Sequence, residues 1–263
     1  MTSKTPVKMI VTDLDNTLLT DDKKISTYTF DIINACRNRG IKFIPATARP
    51  LRKLYGMEII TQFPYDALIT CNGSRIYLDD EVLYHKGMNK QELDAFLPIL
   101  LKHYGDTRIS IEINNIIHVN HNVLEVDPSE TQYQISDLLN LPDDTVDRII
   151  IDLPDKTKLA NVRAILPDYL YAQAVSDSPI CRILHKSVAK SYAIEHIANL
   201  WDIQPEEIIC FGDDENDLEM FDFCGQAIAM DNAIPEIKAV ATGHTTHNNA
   251  DGVAQWLEKY VLS

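Results

Sequence analysis

The chain has 263 residues, 45% of them hydrophobic, enough to fill one large α/β core or a core with a smaller companion domain. Its 39 acidic against 24 basic residues leave a formal charge of −15, which opposes binding to nucleic acid or an anionic membrane and repels anionic substrates at long range; any phosphate-handling site must be made positive locally. No apolar run approaches the roughly 18 residues of a membrane span, MTSKTPVK leads straight into a strand, and the five cysteines form no C-x-x-C pair, so neither span, signal peptide nor disulfide framework is expected, and the chain is expected in a reducing cytoplasm.

In chain order, VKMIVTD (7–13) is predicted as a buried strand, followed by a helix from about Ser26 to Arg39 stopped by Gly40, a strand IKFIPAT (41–47), a helix after Pro50 and a strand DALITCNG (66–73). This alternation reads as right-handed crossover units of a parallel sheet. From about residue 88 to 180 the pattern changes. A helix with Leu93, Phe96, Leu97, Leu100 and Leu101 on one face is followed by RISIEINNIIHVN, predicted as two strands turning at Asn114-Asn115, and then by RIIIDL, a helix near 156–166, and ICRILH. The alternating rhythm returns with IICFGD (208–213), a helix near 215–223, QAIAMD (226–231), a helix near Pro235 to Val240, and a last helix in DGVAQWLEKYVL. The expected architecture is a doubly wound, Rossmann-like parallel-sheet core, residues 1–86 and 187–263, with a smaller α+β domain inserted over residues 87–186.

Ligands of an open parallel sheet bind beyond the carboxyl ends of its strands. The first strand ends in MIVTDLDNT, with Asp13 and Asp15 one residue apart; unpartnered, two such carboxylates would repel each other and suffer desolvation. The second ends in Thr47-Ala48-Arg49, the third in Cys71-Asn72-Gly73, and IICFGD ends in Asp213, with Asp214, Asn216 and Asp217 just beyond. Asp13, Asp15 and Asp213 offer hard oxygen donors without histidine or cysteine, a set that suits Mg²⁺. An EF-hand reading of D-x-D-N-T fails, because its sixth position is Leu18 and its twelfth Lys24. A phosphoryl group at this edge needs cationic support, and HKSVAKSYAIEHIANL opens a helix with Lys190 in its first turn. No G-x-x-x-x-G-K-[ST] or G-x-G-x-x-G occurs.

DLDNTLL, ATAR, Lys190 and GDDENDLEM, in this order, resemble the four motifs of the haloacid dehalogenase superfamily, and the tail AMDNAIPEIKAVATGHTTHNNADGVA resembles its Cof-type, class IIB branch. About 30 residues separate Thr17 from Thr47 while more than 100 separate Asn72 from Lys190, which is similar to members whose cap lies between the second and third motifs and closes over small phosphorylated metabolites. The resemblance implies hydrolysis of a phosphate monoester such as a sugar phosphate in two steps. Asp13 would be the nucleophile and form an aspartyl-phosphate. Asp15 would serve as acid and then base, its side chain turned from the metal and only its backbone carbonyl ligating Mg²⁺. Asp213 would complete the protein ligands, with Asp217 and Asp214 in an outer shell or as an alternative ligand. The backbone of Leu14, Thr47 with the amide of Ala48, Lys190 and Asn216 would hold the phosphate. The chain departs from the family pattern at Ala48 and Ser191, where glycine is usual, and at Cys71, where serine is usual.

Blander readings stand beside these. Thr47 can be a cap for the helix after Pro50, and Arg49 can pair with an acidic residue instead of touching substrate. His118 with His121, and His244 with His247, are spaced as ligands but read as loop or strand-edge residues. A mutase or phosphotransferase of the same superfamily and a phospho-accepting signalling domain remain alternatives to the phosphatase. The expected partner is a small phosphorylated metabolite, with no nucleic acid and no membrane, in a monomer or homodimer.

Overall fold

The computed structural model describes residues 6–57, 63–121, 132–175 and 178–263. Two compact units divide the chain, one formed by residues up to Tyr84 with Ala189–Ser263, the other by His85–Val188.

The first unit is built on a five-stranded sheet. The apolar runs before each site segment are its strands: β1 (Met9–Thr12), β2 (Lys42–Pro45), β12 (Ile208–Gly212), β13 (Gln226–Ala229) and β14 (Gly243–His244), ordered β14-β13-β12-β1-β2 and all parallel. Met9, Ile10 and Val11 are wholly buried, as strands covered on both faces require. An isolated parallel bridge, Ala46 to Ile69, continues the sheet to β3 (Leu68–Thr70), which pairs antiparallel with β4 (Arg75–Leu78) and through it reaches β5 (Glu81–His85). The β4–β5 hairpin is absent from the sequence expectations. Its turn, Asp79-Asp80, has φ of 51° and 64° at two aspartates, a weaker turn signal than Asn-Gly.

From β1 the chain winds outward to β2 and the β3 edge. It later returns to β12, on the other side of β1, and winds away through β13 and β14. The strand order therefore reverses between β1 and β12, which pair in register from Met9 with Ile208 to Thr12 with Phe211. That is the position where open sheets bind ligands.

The helix Thr27–Asn38 begins on Ser26, whose hydroxyl accepts the Thr29 N–H at 3.0 Å, and ends before Gly40 at φ 83°. It packs with the C-terminal helix Gly252–Leu257, while Lys190–Leu200, Leu218–Phe223 and Pro235–Val240 pack successively with one another. Among the described residues after Pro50 there is a 3-10 turn, Leu51–Lys53; the rest of the helix expected there falls on residues 58–62, which lie outside the described residues. No described helix is long and apolar enough to cross a membrane.

The second unit holds a six-stranded sheet ordered β10 (Leu170–Ala174), β11 (Ile180–His185), β9 (Val146–Asp152), β6 (Ile109–Ile113), β7 (Ile116–Val119) and β8 (Tyr133–Ile135). All neighbours pair antiparallel except β7 with β8. The β6–β7 hairpin turns at Asn114-Asn115, both at positive φ, the conformation asparagine tolerates. The helix Lys90–Tyr104, capped reciprocally by Asn89 and Glu92, buries Leu93, Phe96, Leu97 and Leu100 in a core with Ile109, Ile111, Ile149 and Ile151. This core is separate from that of the first unit.

Candidate active site

Asp13 is the first residue beyond β1, and its N–H still donates to the Phe211 carbonyl at 3.0 Å, so the neighbouring strand fixes its backbone. The chain then reverses in a wide turn closed by Leu18 N–H to Asp13 O at 3.3 Å and Leu19 N–H to Leu14 O at 2.8 Å. Asn16 occupies the left-handed position of that turn, at φ 60°. Leu14 sends its side chain into the core, which leaves only its main chain at the sheet edge.

Asp213 follows the last residue of β12 next door. Its Oδ1 accepts from the Thr17 hydroxyl at 2.8 Å. Asp217, wholly buried, turns back with Oδ2 accepting the N–H of Asp213 at 2.9 Å and of Asp214 at 3.3 Å. Carboxylate oxygens of Asp13, Asp213 and Asp217 lie within 4.8 Å of one another. Lys190, the first residue of its helix and 1% exposed, joins two of them: Nζ donates to Asp13 Oδ1 at 2.5 Å and to Asp217 Oδ1 at 2.7 Å.

Burial dominates the electrostatics. It pushes Asp13 up to about 7 against the pull of Lys190, and Asp213 up to about 8 with repulsion from Asp13 and Asp217 added. Burial would lower the Lys190 pKa, yet the two carboxylates hold it above its ordinary value. Three buried carboxylates face one lysine. A hard divalent cation fits this donor set, because it is all oxygen, close-set and short of positive charge.

Asp15 stands outside that cluster. Arg49 grips it with both branches of its fork, Nε to Oδ2 at 2.6 Å and Nη2 to Oδ1 at 2.7 Å, and Lys23 Nζ lies 2.9 Å from Oδ1. Burial opposes ionisation here too, but the Arg49 and Lys23 contacts outweigh it and bring the pKa down to about 2. Arg49 thus pairs with an acidic residue, and that residue is the candidate acid. Lys23, at a left-handed position in the loop after the first motif, carried no sequence signal.

Thr47 is buried, with its N–H on the Ile69 carbonyl at 2.9 Å and its hydroxyl accepting the Arg49 N–H at 3.0 Å. It therefore caps its own loop at Arg49. Ala48 follows it, half-buried. Asn216 donates from Nδ2 to Asn72 Oδ1 at 3.1 Å. Asp214 caps the short turn Glu215–Asp217. The first unit thus brings Asp13, Asp213, Asp217 and Lys190 together, sets Asp15 beside them on Arg49, and brings Asn216 to Asn72, a residue placed at the sheet edge by the sequence but not assigned to the site. None of the four paired histidines belongs to a metal-holding group among the described residues; His118 is buried on β7 and His247 accepts the Asn249 N–H.

Residues 10–257 match the family model described as haloacid dehalogenase-like hydrolase. Among similar proteins, the 5-amino-6-(5-phospho-D-ribitylamino)uracil phosphatase YitU of Bacillus subtilis (strain 168) is 27% identical over 271 residues, covering 96% of this chain and 97% of its own. The structure of BT1666 from Bacteroides thetaiotaomicron, described among phosphatases of the haloalkanoate superfamily, superposes with a TM-score of 0.84 at 19% identity over 100% of this chain and 98% of its own. That of BT4131, described as a subclass IIB sugar phosphatase, does so with a TM-score of 0.82 at 21% identity, covering 98% of this chain and 100% of its own.

Proposed function

This chain is an enzyme of the haloacid dehalogenase-like hydrolase family, and from that premise we propose that it is a Mg²⁺-dependent phosphatase hydrolysing small phosphorylated metabolites through an aspartyl-phosphate on Asp13. The observation that carries this reading is the buried group at the β1–β12 reversal, in which Asp13 lies with Asp213 and Asp217 and shares Lys190 with Asp217.

Asp13, Asp213 and the backbone carbonyl of Asp15 would hold the cation, with Asp217 behind them, occupied by Lys190 and two backbone N–H groups. Bound there, Mg²⁺ neutralises phosphate charge and orients it. The Asp13 carboxylate attacks phosphorus, a new P–O bond forms, and the ester oxygen leaves with a proton from Asp15. Water then attacks the aspartyl-phosphate as Asp15 takes its proton, which releases phosphate and restores Asp13. In the described arrangement Asp15 is an anion on Arg49, poised as the base; to protonate a leaving group it must first come off the arginine fork and take up a proton from solvent. The Lys190 ammonium, the Thr47 and Ala48 segment, and Asn216 supply donors where charge spreads over the transferring group. The second unit acts as a cap that selects the leaving group.

The relatives described as acting on a phosphoribityl compound and on sugar phosphates support a polyhydroxylated monoester as the substrate class. The test is phosphate release from a panel of phosphorylated metabolites, with Mg²⁺ and with chelator. Asp13→Asn is expected to abolish release while leaving the fold intact, since the exchange is nearly isosteric; activity near wild type would overturn the nucleophile. A lasting phospho-protein without turnover would favour the signalling alternative.

A further inference from the structure

The turn Cys71–Gly73, at the carboxyl end of β3, has no part in the mechanism above. Its three residues stand at φ 51°, 59° and 99°, successive left-handed conformations in which only glycine is at ease and asparagine is among the next most tolerant residues. Such a run persists where its surroundings over-determine it, and they do. The Cys71 N–H donates to the Arg49 carbonyl and the Asn72 N–H to the Thr47 carbonyl, each at 3.0 Å. A Cβ on Gly73 would stand 2.1 Å from the Ala189 carbonyl oxygen and 2.9 Å from the Lys190 nitrogen. Asn72 Oδ1 receives the Asn216 amide. One turn thus touches all three segments that carry Thr47, Lys190 and Asn216.

Asn72 is 3% exposed, and its Nδ2 has no hydrogen-bond partner among the described residues. A buried donor left unmatched costs free energy comparable to a lost hydrogen bond, so nearly all such groups have partners in folded proteins. Beside a site for an oxyanion, the missing partner is accounted for by the anion. Its own Oδ1 holds Asn216, so the two amides sit as neighbouring donors.

We propose that Asn72 contacts substrate, its side-chain N–H donating to a phosphoryl oxygen while its carbonyl oxygen seats Asn216. The inference rests on the phosphatase reading of the same site, and the test separates the two. With p-nitrophenyl phosphate, wild-type turnover lost in Asp13→Asn supports that reading. Asn72→Gly then removes the amide yet suits the left-handed backbone, and is expected to lower kcat/KM by about 10- to 100-fold, the range of a lost transition-state donor or somewhat below, with a matching rise in the inhibition constant for orthovanadate. Asn72→Asp keeps an acceptor for Asn216 without the donor, and is expected to lose at least as much. In an Asn216→Ala background, Asn72→Gly is expected to cost a further fivefold or more. Near wild-type activity in Asn72→Asp, or no further cost in that background, would mean that Asn72 only seats Asn216 and would overturn the proposal. If wild type turns over no phosphate ester, the phosphatase reading fails, and the rise in melting temperature with orthovanadate decides Asn72 alone. A rise lost in Asn72→Gly supports the contact; an equal rise in both proteins overturns it.

Discussion

Arg49 and Lys23 close on Asp15 from two sides, and what they do to its proton reaches both stability and rate. Burial raises the pKa of this carboxyl, but the two cations win and leave it at about 2, below the ordinary 3.8. A depressed folded-state pKa contributes stability that is fully present above the unfolded value and is lost as pH falls through about 2. Arg49→Ala should therefore raise the Asp15 pKa by about one unit or more for the loss of a bidentate pair, seen as an upward move of the basic limb of the kcat/KM profile, because the phosphorylation step needs Asp15 protonated; an unmoved limb would count against Asp15 as the acid. Asp15→Asn should cost least for substrates with good leaving groups, such as aryl phosphates, because they need least protonation. Equal losses across a leaving-group series would remove Asp15 from the acid role. The aspartates at strand ends were legible because a charge closing an apolar run demands a reason. The clamp on Asp15 was not, since it joins residues 34 positions apart whose loops carry no periodicity. Asn72 lies between these cases, visible at a strand end but silent about its amide.

At the level of elements, Gly73 and Asp66 hold the site's scaffolding. Gly73 sits at φ 99° with the Ala189–Lys190 backbone where a side chain would go, so Gly73→Ala must displace the start of the lysine helix. The expected cost is about 3 kcal/mol or more, strain and overpacking acting together, read as a lowered denaturation midpoint and a lower kcat. Asp66 ties the helix Thr27–Asn38 to β2, accepting from Arg37 Nε, Lys42 Nζ and the Phe43 N–H, each at 3.0 Å. Although its burial opposes ionisation, these donors lower its pKa, so the contribution is present at neutral pH and fades as pH falls through the folded value. Asp66→Asn should destabilise by about 1–3 kcal/mol at pH 7, and the gap to wild type in denaturant melts should shrink in acid. The helix Lys90–Tyr104, with its apolar stripe, and the short strand β6, followed by its Asn114-Asn115 turn, were legible in sequence. The strands β4, β5, β8 and β10 were not, because no Asn-Asn or Asn-Gly turn marks them and so short a run is placed by its partner strand.

Across the whole molecule, charge sets a condition that no local donor removes. With a formal charge of −15, the protein repels a phosphate dianion before Lys190 can meet it. Moderate salt, by shortening the Debye length from about 30 Å at 0.01 M to about 8 Å at 0.15 M, should lower KM for anionic substrates with kcat little changed; a KM that rises steadily with salt would show local attraction to be dominant. The break in the strand–helix rhythm is a feature of the sequence, and the structure divides into two units whose edges fall at Tyr84 and Val188. The pairing of β1 with β12 joins segments nearly 200 residues apart in the chain. During synthesis Asp13 therefore emerges long before Asp213, Asp217 and Lys190 exist, and the first strand must wait for its neighbour on one side. Until then it is an apolar edge ending in paired acids, with no lysine to share. The reactive group is thus assembled last, from the chain's two extremes, and no nascent fragment ending before residue 208 can carry it.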